Sequence, residues 1–206
     1  MVITVDGYDG TGKSTLAENI KKRYGFEHIE KPFIKMWQDL YGYSEEEIVA
    51  FEGQLWKKGD KRDLVRFYLE GILWMQEYGK THNVVLDRGV LTTYAVLGNE
   101  DTADVFDEYI AKGAFHEASI YLVASDLERR RRIFENDPHD PDLKYPIEWR
   151  KNDLIEYADS RKLNYYKVDT NGRGPDQVFE AAIPILDKII YRGKGAPETG
   201  HDKPEE

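Results

Sequence analysis

The sequence feature that most constrains this chain is a glycine-rich segment near its start. Residues 7–14, Gly-Tyr-Asp-Gly-Thr-Gly-Lys-Ser, fit the pattern G-x-x-x-x-G-K-[ST] without a gap. A β-branched run, Val2–Val5, precedes it and predicts a buried strand, and a helical pattern follows from Ser14. Glycines let successive backbone N–H groups surround an anion, and the helix N-terminus adds positive potential. The segment therefore predicts a phosphate-binding loop between a strand and a helix.

This glycine loop, residues 7–14, is expected to bind the phosphates of ATP together with Mg²⁺. Lys13 can reach the β- and γ-phosphates, and the Ser14 hydroxyl can ligate Mg²⁺. Asp87 ends an apolar strand, from which it could hold Mg²⁺ through water or orient Arg88. A salt-bridged strand end is the alternative for Asp87. The predicted phosphate-binding residues are Gly7, Asp9, Gly10, Thr11, Gly12, Lys13, Ser14 and Thr15.

Composition narrows the functional classes. The 206 residues fit one domain with a full core. There are no cysteines, which excludes disulfides, thiolate zinc sites and cysteine nucleophiles. The formal charge of −10 opposes a general nucleic-acid-binding surface, although a local basic groove stays open. Because there is no signal-peptide pattern and no apolar run near the ~18 residues of a transmembrane helix, we expect a cytoplasmic enzyme without a membrane partner.

Strand and helix patterns alternate along the chain. This βαβ spacing predicts an α/β fold in three layers, with helices on both faces of a mostly parallel five-stranded sheet. Pro32 predicts that the chain leaves the second strand into a loop. The domain is expected to span residues 1–192, and residues 193–206 to form a disordered tail. The predicted strands are 2–5, 26–30, 83–87, 118–123 and 165–168, and the predicted helices begin at 14 and 126 or span 44–58, 61–79, 92–97, 102–111, 148–162 and 175–191.

Charged residues follow the predicted strands at the edge where such sheets bind ligands. Glu30 follows the second strand, and Asp87 and Arg88 end the third. Arg88 is suited to clamp a phosphate, because guanidinium donors match phosphate oxygens two at a time. Arg66, one helix earlier, is either a second member of that clamp or an exposed helical arginine.

Four consecutive arginines, 129–132, lie in the helix that opens at Asp126. Positions i and i+3 share a helix face, so Arg129 and Arg132 are expected to act as a pair. Cations delivered by a closing segment would stabilise the charge that spreads over a transferred phosphoryl group. Residues 126–146 are therefore predicted to form a helical lid; a solvated basic face is the alternative.

At this point the sequence resembles a known family. The loop motif at 7–14, with Asp87-Arg88 followed by a helix that carries Thr92 and Ala95, is similar to the thymidylate kinase family of nucleoside monophosphate kinases. The deoxynucleoside kinases share the same plan. The resemblance covers about residues 1–190 and implies a P-loop kinase fold, ATP and Mg²⁺ as cofactors, and a deoxynucleoside monophosphate as the phosphoryl acceptor.

The resemblance also implies roles for individual residues. Asp9 occupies the place of a loop carboxylate that holds the 3′-hydroxyl of the acceptor sugar. Arg88 matches the family's arginine on the acceptor phosphate, and Arg66 is a weaker match to a second substrate arginine. Gly10 stands where some members carry an arginine. Members without it take their catalytic cations from the lid, which fits the arginines at 129–132.

Two departures from the family concern the base. Val96-Leu97 stand where a Tyr-Gln pair is usual, and their side chains cannot hydrogen-bond a pyrimidine edge. Gly89 stands where an aromatic residue is common. The base is therefore expected to differ from thymine, to be modified, or to bind mainly by stacking. The aromatic candidates, each with core packing as its alternative, are Phe33, Trp37, Phe67, Tyr68 and Trp74.

The acceptor itself is left with alternatives. Glu30-Lys31-Pro32, followed by Trp37, is similar to the Glu-Pro and Trp segment of deoxynucleoside kinases. If the acceptor is a nucleoside, Glu30 would be the general base that takes the 5′-hydroxyl proton, whereas a monophosphate needs no base. Asp9 favours the monophosphate. Two other functions stay open: a kinase for a modified base or a nucleic-acid end, and a regulatory ATPase. Helix 61–79 could form either a homodimer interface or part of the monomer's core.

Overall fold

The computed structural model describes residues 1–116, 118–140, 143 and 153–192. The strands are β1 (Val2–Gly7), β2 (Glu27–Ile29), β3 (Val84–Asp87), β4 (Ser119–Val123) and β5 (Tyr165–Asp169). The helices are α1 (Lys13–Tyr24), α2 (Pro32–Tyr41), α3 (Glu45–Lys58), α4 (Lys61–Tyr78), α5 (Val90–Leu97), α6 (Ala103–Ala111), α7 (Asp126–Asn136), α8 (Asp153–Ser160) and α9 (Pro175–Ile190).

The five strands form one parallel sheet in the order β2-β3-β1-β4-β5. Val5 of β1 lies opposite Asp87 of β3, and Gly7 lies opposite Leu122 of β4. Because parallel strands end at the same edge, this register places the glycine loop beside Asp87 and Arg88. The predicted α/β fold with a parallel five-stranded sheet is confirmed.

Helices cover the sheet on both faces, as the apolar composition of its strands requires. On one face, Leu16 and Ile20 of α1 pack with Leu186 of α9 against the central strands. On the other face lies a second cluster built from α4, α5 and α6, which includes Leu69 and Phe106. The apolar side chains of α4 thus lie in the core of the protomer itself.

The predicted loop after β2 is wrong, because Pro32 opens α2. Proline is tolerated at the first helical position, where its missing N–H would have had no intrahelical partner. The new helix packs directly on α4 at Gly71, where an added Cβ would lie 2.4 Å from the backbone nitrogen of Phe33. Gly71 is therefore needed for the close approach that seats Phe33.

Local signals set other helix ends correctly. Ser44 and Glu47 form the predicted capping box of α3, in which Ser44 N–H donates to a Glu47 oxygen at 2.8 Å. Parts of two predicted segments, the lid beyond Asp140 and the start of helix 148–162, lie outside the described residues, as does the predicted tail at 193–206. In the described ranges, no helix combines the length and apolarity needed to span a membrane.

Candidate active site

The glycine loop encloses a buried lysine. Gly10 and Gly12 have φ values of 80° and 95°, which side-chain-bearing residues rarely adopt. Lys13 is only 5% exposed, and its Nζ donates to the Tyr8 carbonyl oxygen at 3.0 Å and to Asp9 Oδ1 at 3.1 Å. Burial lowers the pKa of the Lys13 ammonium, and the charge of Asp9 opposes that shift. The loop therefore holds one cation in a dry setting that suits phosphate binding.

Asp9 links Lys13 to a second cation, Arg88. The Arg88 guanidinium donates to the same Asp9 oxygen at 3.0 Å. Arg88 has a φ of 117°, and such strain costs about 1–3 kcal/mol and is found mainly at functional sites. Three predicted site residues from two strand ends therefore meet at one point.

Two cavities open beside this point. The first, which we call the loop cavity, has a volume of about 460 Å³ and is lined by the glycine loop, α7 and the start of α9. The second, which we call the helix cavity, has a volume of about 280 Å³ and lies among α2, α3, α4 and α5. Arg88 lines both. A group bound in one cavity can therefore meet a group bound in the other at Arg88.

Asp6, a residue that the sequence analysis missed, holds Arg88 in place. Its carboxylate is fully buried, and Oδ1 accepts from Gly89 N–H, Thr92 N–H and the Thr92 hydroxyl, each at 2.8 Å. Oδ2 accepts from the Ser119 hydroxyl at 3.0 Å. Asp6 thereby caps the start of α5, directly after Arg88. The only sequence signal was a charged residue at the end of an apolar strand.

Asp6 also explains the glycine at position 89. A Cβ on Gly89 would lie 2.6 Å from Asp6 Oδ2 and 3.1 Å from Thr4 Cβ. Both contacts are shorter than van der Waals distance, so a larger residue would displace the buried carboxylate. The departure from the family pattern at this position is thus a packing consequence of Asp6.

Arg129 and Arg132 share a face of α7, as their spacing predicts, and that face contacts the glycine loop. Arg129 is 2% exposed, its Nε donates to the Asp9 carbonyl oxygen at 2.7 Å, and its guanidinium lies over the Tyr8 ring. Arg132 donates to the carbonyl oxygens of Thr170 at 2.6 Å and Gly10 at 3.4 Å. These contacts fasten the loop backbone to α7. Their predicted catalytic role stays a prediction.

The other two arginines of the run contact residues outside the glycine loop. Arg131 forms ion pairs with Glu128 and Glu135 at 2.9 and 2.6 Å and lines the loop cavity. The hydrogen bond from Arg131 lowers the pKa of Glu128 to about 2. Arg130 donates to the Leu143 carbonyl oxygen at 3.1 Å. Arg131, with Arg173 from the segment before α9, is a candidate phosphate cation that the sequence analysis did not single out.

Asp87 and Ser14 fit a Mg²⁺ site that uses few protein ligands. Asp87 is 5% exposed, and its buried Oδ1 has no hydrogen-bond partner among the described atoms. Ser14 is exposed at the start of α1 and lines the loop cavity. Mg²⁺ commonly binds through one or two carboxylates and substrate phosphates, so an unpaired carboxylate oxygen suits it.

The remaining predicted residues divide into two groups. Glu30 and Phe33 line the helix cavity, and so does Tyr68. Arg66 pairs with Asp63 at 3.6 Å, and it is not among the described residues that line either cavity. The other aromatic candidates do not line the helix cavity: Phe67 packs directly behind it against Phe33 and Trp37, and Trp74 stacks on Tyr78.

The chain is similar in sequence to a known nucleotide kinase. A cytidylate kinase from Shewanella putrefaciens is 25% identical over 223 residues, covering 92% of this chain and 96% of the relative. No protein-family model matches the chain. The sequence similarity therefore extends over nearly the whole length of a nucleotide kinase.

Solved structures share the fold at lower identity. Thymidylate kinase from Candida albicans superposes with a TM-score of 0.61 at 14% identity, covering 92% of each chain. Deoxyadenosine kinase from M. mycoides with bound dATP gives 0.56 at 19%, covering 90% of this chain and 99% of that one. A gluconokinase from Sinorhizobium meliloti gives 0.55 at 19%, covering 94% and 97%. The predicted P-loop kinase fold, the resemblance to nucleotide kinases and the prediction of a phosphotransferase are confirmed.

Proposed function

We propose that this chain is an ATP- and Mg²⁺-dependent kinase that transfers the γ-phosphoryl group to a deoxynucleoside monophosphate. The observation that carries the proposal is Arg88, which lines both cavities and contacts Asp9 of the glycine loop at 3.0 Å. ATP would occupy the loop cavity and the acceptor the helix cavity. Their reacting phosphates would then meet beside Arg88 and Lys13.

The residues at this junction suit phosphoryl transfer. Backbone N–H groups of the glycine loop and the Lys13 ammonium bind the donor phosphates, and Arg88 binds the acceptor phosphate. Both cations contact Asp9. A sugar 3′-hydroxyl can donate to a carboxylate, so the Asp9 side chain is the proposed contact for the acceptor sugar. Arg131, Arg132 and Arg173 line the donor side, where their charge would offset that of the moving phosphoryl group.

Asp87 and Ser14 would hold the Mg²⁺ ion between the donor phosphates and the end of β3. The chemistry that the ion would supply there is positive charge, which would offset the charge that develops on the phosphoryl group. The support in this chain is the unpaired Asp87 oxygen. The Asp87 carboxylate also acts on Lys13 electrostatically, so the proposed metal site and the lysine belong to one electrostatic unit.

A nucleoside acceptor is the second candidate, because Glu30 lines the helix cavity. A 5′-hydroxyl has a proton to lose, which Glu30 could take as a general base. Glu30→Gln would then abolish activity on nucleosides. On a monophosphate, the same variant should retain most of its kcat. Glu27→Gln, an exposed change in neighbouring β2, is the matched control.

An acceptor panel tests the proposal. ATP and Mg²⁺ are incubated with each nucleoside, each monophosphate and a short oligonucleotide, and ADP release is measured. We expect deoxynucleoside monophosphates to be phosphorylated fastest. Fast turnover of the oligonucleotide would indicate a nucleic-acid-end kinase, and slow ATP hydrolysis that no acceptor stimulates would indicate a regulatory ATPase.

Lys13→Ala gives the second test. It should abolish phosphoryl transfer while the circular dichroism spectrum stays that of a folded α/β protein. Lys21→Ala, an exposed substitution on the same helix that breaks an ion pair with Glu18, should keep full activity. An active Lys13→Ala protein would refute the donor site. A cytoplasmic location and a homodimer stay predictions, which cell fractionation and sedimentation would test.

A further inference from the structure

The helix cavity contains a polar group that phosphoryl transfer does not use. Glu52 of α3 lines this cavity together with Trp56 and Tyr68. The Tyr68 hydroxyl donates to Oε1 of Glu52 and accepts from Nε1 of Trp56 at 3.2 Å. The three side chains therefore form a chain of hydrogen bonds that ends on a carboxylate.

Glu52, Trp56 and Tyr68 form one wall of the helix cavity. The direction of their hydrogen bonds decides whether this wall presents donor or acceptor atoms to a ligand. Burial raises the pKa of the Tyr68 hydroxyl, and the bond to Glu52 adds to the shift, so the proton stays on Tyr68. That proton and the Trp56 N–H are both used within the chain of hydrogen bonds. Within the described part of the protein, no other hydrogen bond or ion pair engages Glu52. The wall thus presents acceptor atoms, because an ionised carboxylate has no donor.

The position of this wall matches the base of a bound nucleotide. Arg88 is shared with the loop cavity, so an acceptor phosphate would lie at that end of the helix cavity. The base would then lie among α3, α4 and the end of α5. Val96 and Leu97 also line the cavity and offer no hydrogen-bonding side chain. Glu52 is therefore well placed to be read by the edge of the base.

We propose that Glu52 selects an acceptor whose base carries an exocyclic amine, such as cytosine or adenine, over the keto bases uracil and thymine; this rests on the proposed function. An amine N–H can donate to the free Glu52 oxygen. A carbonyl oxygen in the same place could not hydrogen-bond to the Glu52 oxygen, because both atoms are acceptors, and the two would repel each other. Uracil and thymine offer a single N–H between two carbonyl groups, so at least one carbonyl would face the carboxylate.

The size-matched pair dCMP and dUMP tests this effect, because the two bases differ only at C4, which carries an amine or a carbonyl, and at N3, which carries a proton in uracil alone. A polar group left unpaired in a partly buried site costs about 1–3 kcal/mol, and each 1.36 kcal/mol is a factor of ten in rate. We therefore expect kcat/KM for dCMP to exceed that for dUMP by about 5- to 150-fold. Isothermal titration calorimetry should give a similar ratio of dissociation constants without any turnover.

Glu52→Gln should change that preference. The Tyr68 hydroxyl would donate to the amide oxygen as it does to Oε1, which leaves the amide NH₂ facing the cavity. An NH₂ group donates to the uracil carbonyl, so the dCMP-to-dUMP ratio should fall to about one or invert. Glu46→Gln removes the same charge from an exposed position on the same helix and should keep the wild-type ratio.

The outcomes separate the two proposals. Equal use of dCMP and dUMP by the wild-type protein, or an unchanged ratio in Glu52→Gln, overturns the base inference and leaves the kinase proposal standing. If bare nucleosides are the acceptors, deoxycytidine and deoxyuridine replace the monophosphates in the same comparison. If nothing is phosphorylated, the kinase proposal fails, and equal binding of dCMP and dUMP in calorimetry would refute the base inference separately. If Glu52→Gln does not fold, the base inference is decided by the wild-type protein alone, from its dCMP-to-dUMP ratios of kcat/KM and of dissociation constants.

Discussion

Gly10→Ala tests the close contact between the glycine loop and α7. Gly10 has a φ of 80°, and an added Cβ would lie 2.8 Å from the Arg129 carbonyl oxygen and 3.1 Å from its Cα. Both neighbours are backbone atoms of a helix, so they cannot rotate away as a flexible side chain would. The substitution should therefore force the loop and α7 apart.

The expected loss of stability has two parts. A left-handed backbone costs an L-residue about 1–2 kcal/mol, and overpacking against a rigid neighbour typically costs about 1–3 kcal/mol. Gly42→Ala provides the first part alone, because Gly42 has a φ of 73° and nothing within 4 Å of an added Cβ. We expect Gly10→Ala to lower the free energy of unfolding by about 2–5 kcal/mol, and Gly42→Ala by about 1–2 kcal/mol.

Urea unfolding followed by circular dichroism measures both values, and the KM for ATP adds a second readout. Moving α7 breaks the Arg129 contact with the Asp9 carbonyl oxygen, so Gly10→Ala should also raise the KM for ATP. Gly42→Ala should leave that KM unchanged. Equal losses of stability in the two variants would refute the argument, because they would show that α7 does not press on the loop.

Three further predictions follow from buried groups. Asp6→Ala leaves buried N–H groups unpaired and should cost about 1–3 kcal/mol of stability; it should raise the KM for the acceptor more than that for ATP, with partial rescue in Asp6→Asn. Burial lowers the pKa of the His116 imidazole from 6.5 to about 4. The contribution of neutral His116 to the free energy of unfolding is therefore complete above pH 6.5, and about 3 kcal/mol of it is lost as the pH falls towards 4. If His116→Gln showed the same dependence of stability on pH as the wild type, this prediction would be contradicted. Arg129→Lys should lower the urea concentration at the midpoint of unfolding, because the Arg129 guanidinium is buried. Arg131→Lys should shift that midpoint little, because the ion pair of Arg131 with Glu135 is exposed.

Much of the fold was predictable because its signals are local. The motif at residues 7–14 required a strand before it and a helix after it, and β-branched runs marked the buried strands. Pro32 misled the prediction, because the same residue that ends a strand is also favoured at the first position of a helix. Sequence alone does not tell which of these two roles a proline has.

Contacts between distant residues were the part that could not be predicted. Asp6 and Gly89 are 83 residues apart, and neither belongs to a recognised pattern by itself. The Glu52 and Tyr68 pair joins two helices in the same way. Charge and spacing identified the arginines at 129–132, but the direction of each guanidinium depends on where α7 lies against the loop. Such geometry is set by packing between elements, which a linear pattern does not contain.

The structure gives a physical link between two features that the resemblance had only associated. Position 10 is a glycine, where some members of the family that this chain resembles carry an arginine, and α7 carries four arginines. Because α7 occupies the space into which a side chain at position 10 would extend, a loop arginine and this placement of α7 exclude each other. The helix that prevents a loop cation also brings Arg131 and Arg132 to the lining of the loop cavity. Substituting an arginine at Gly10 would therefore displace the helix that carries these cations, and would not add a cation to those already there.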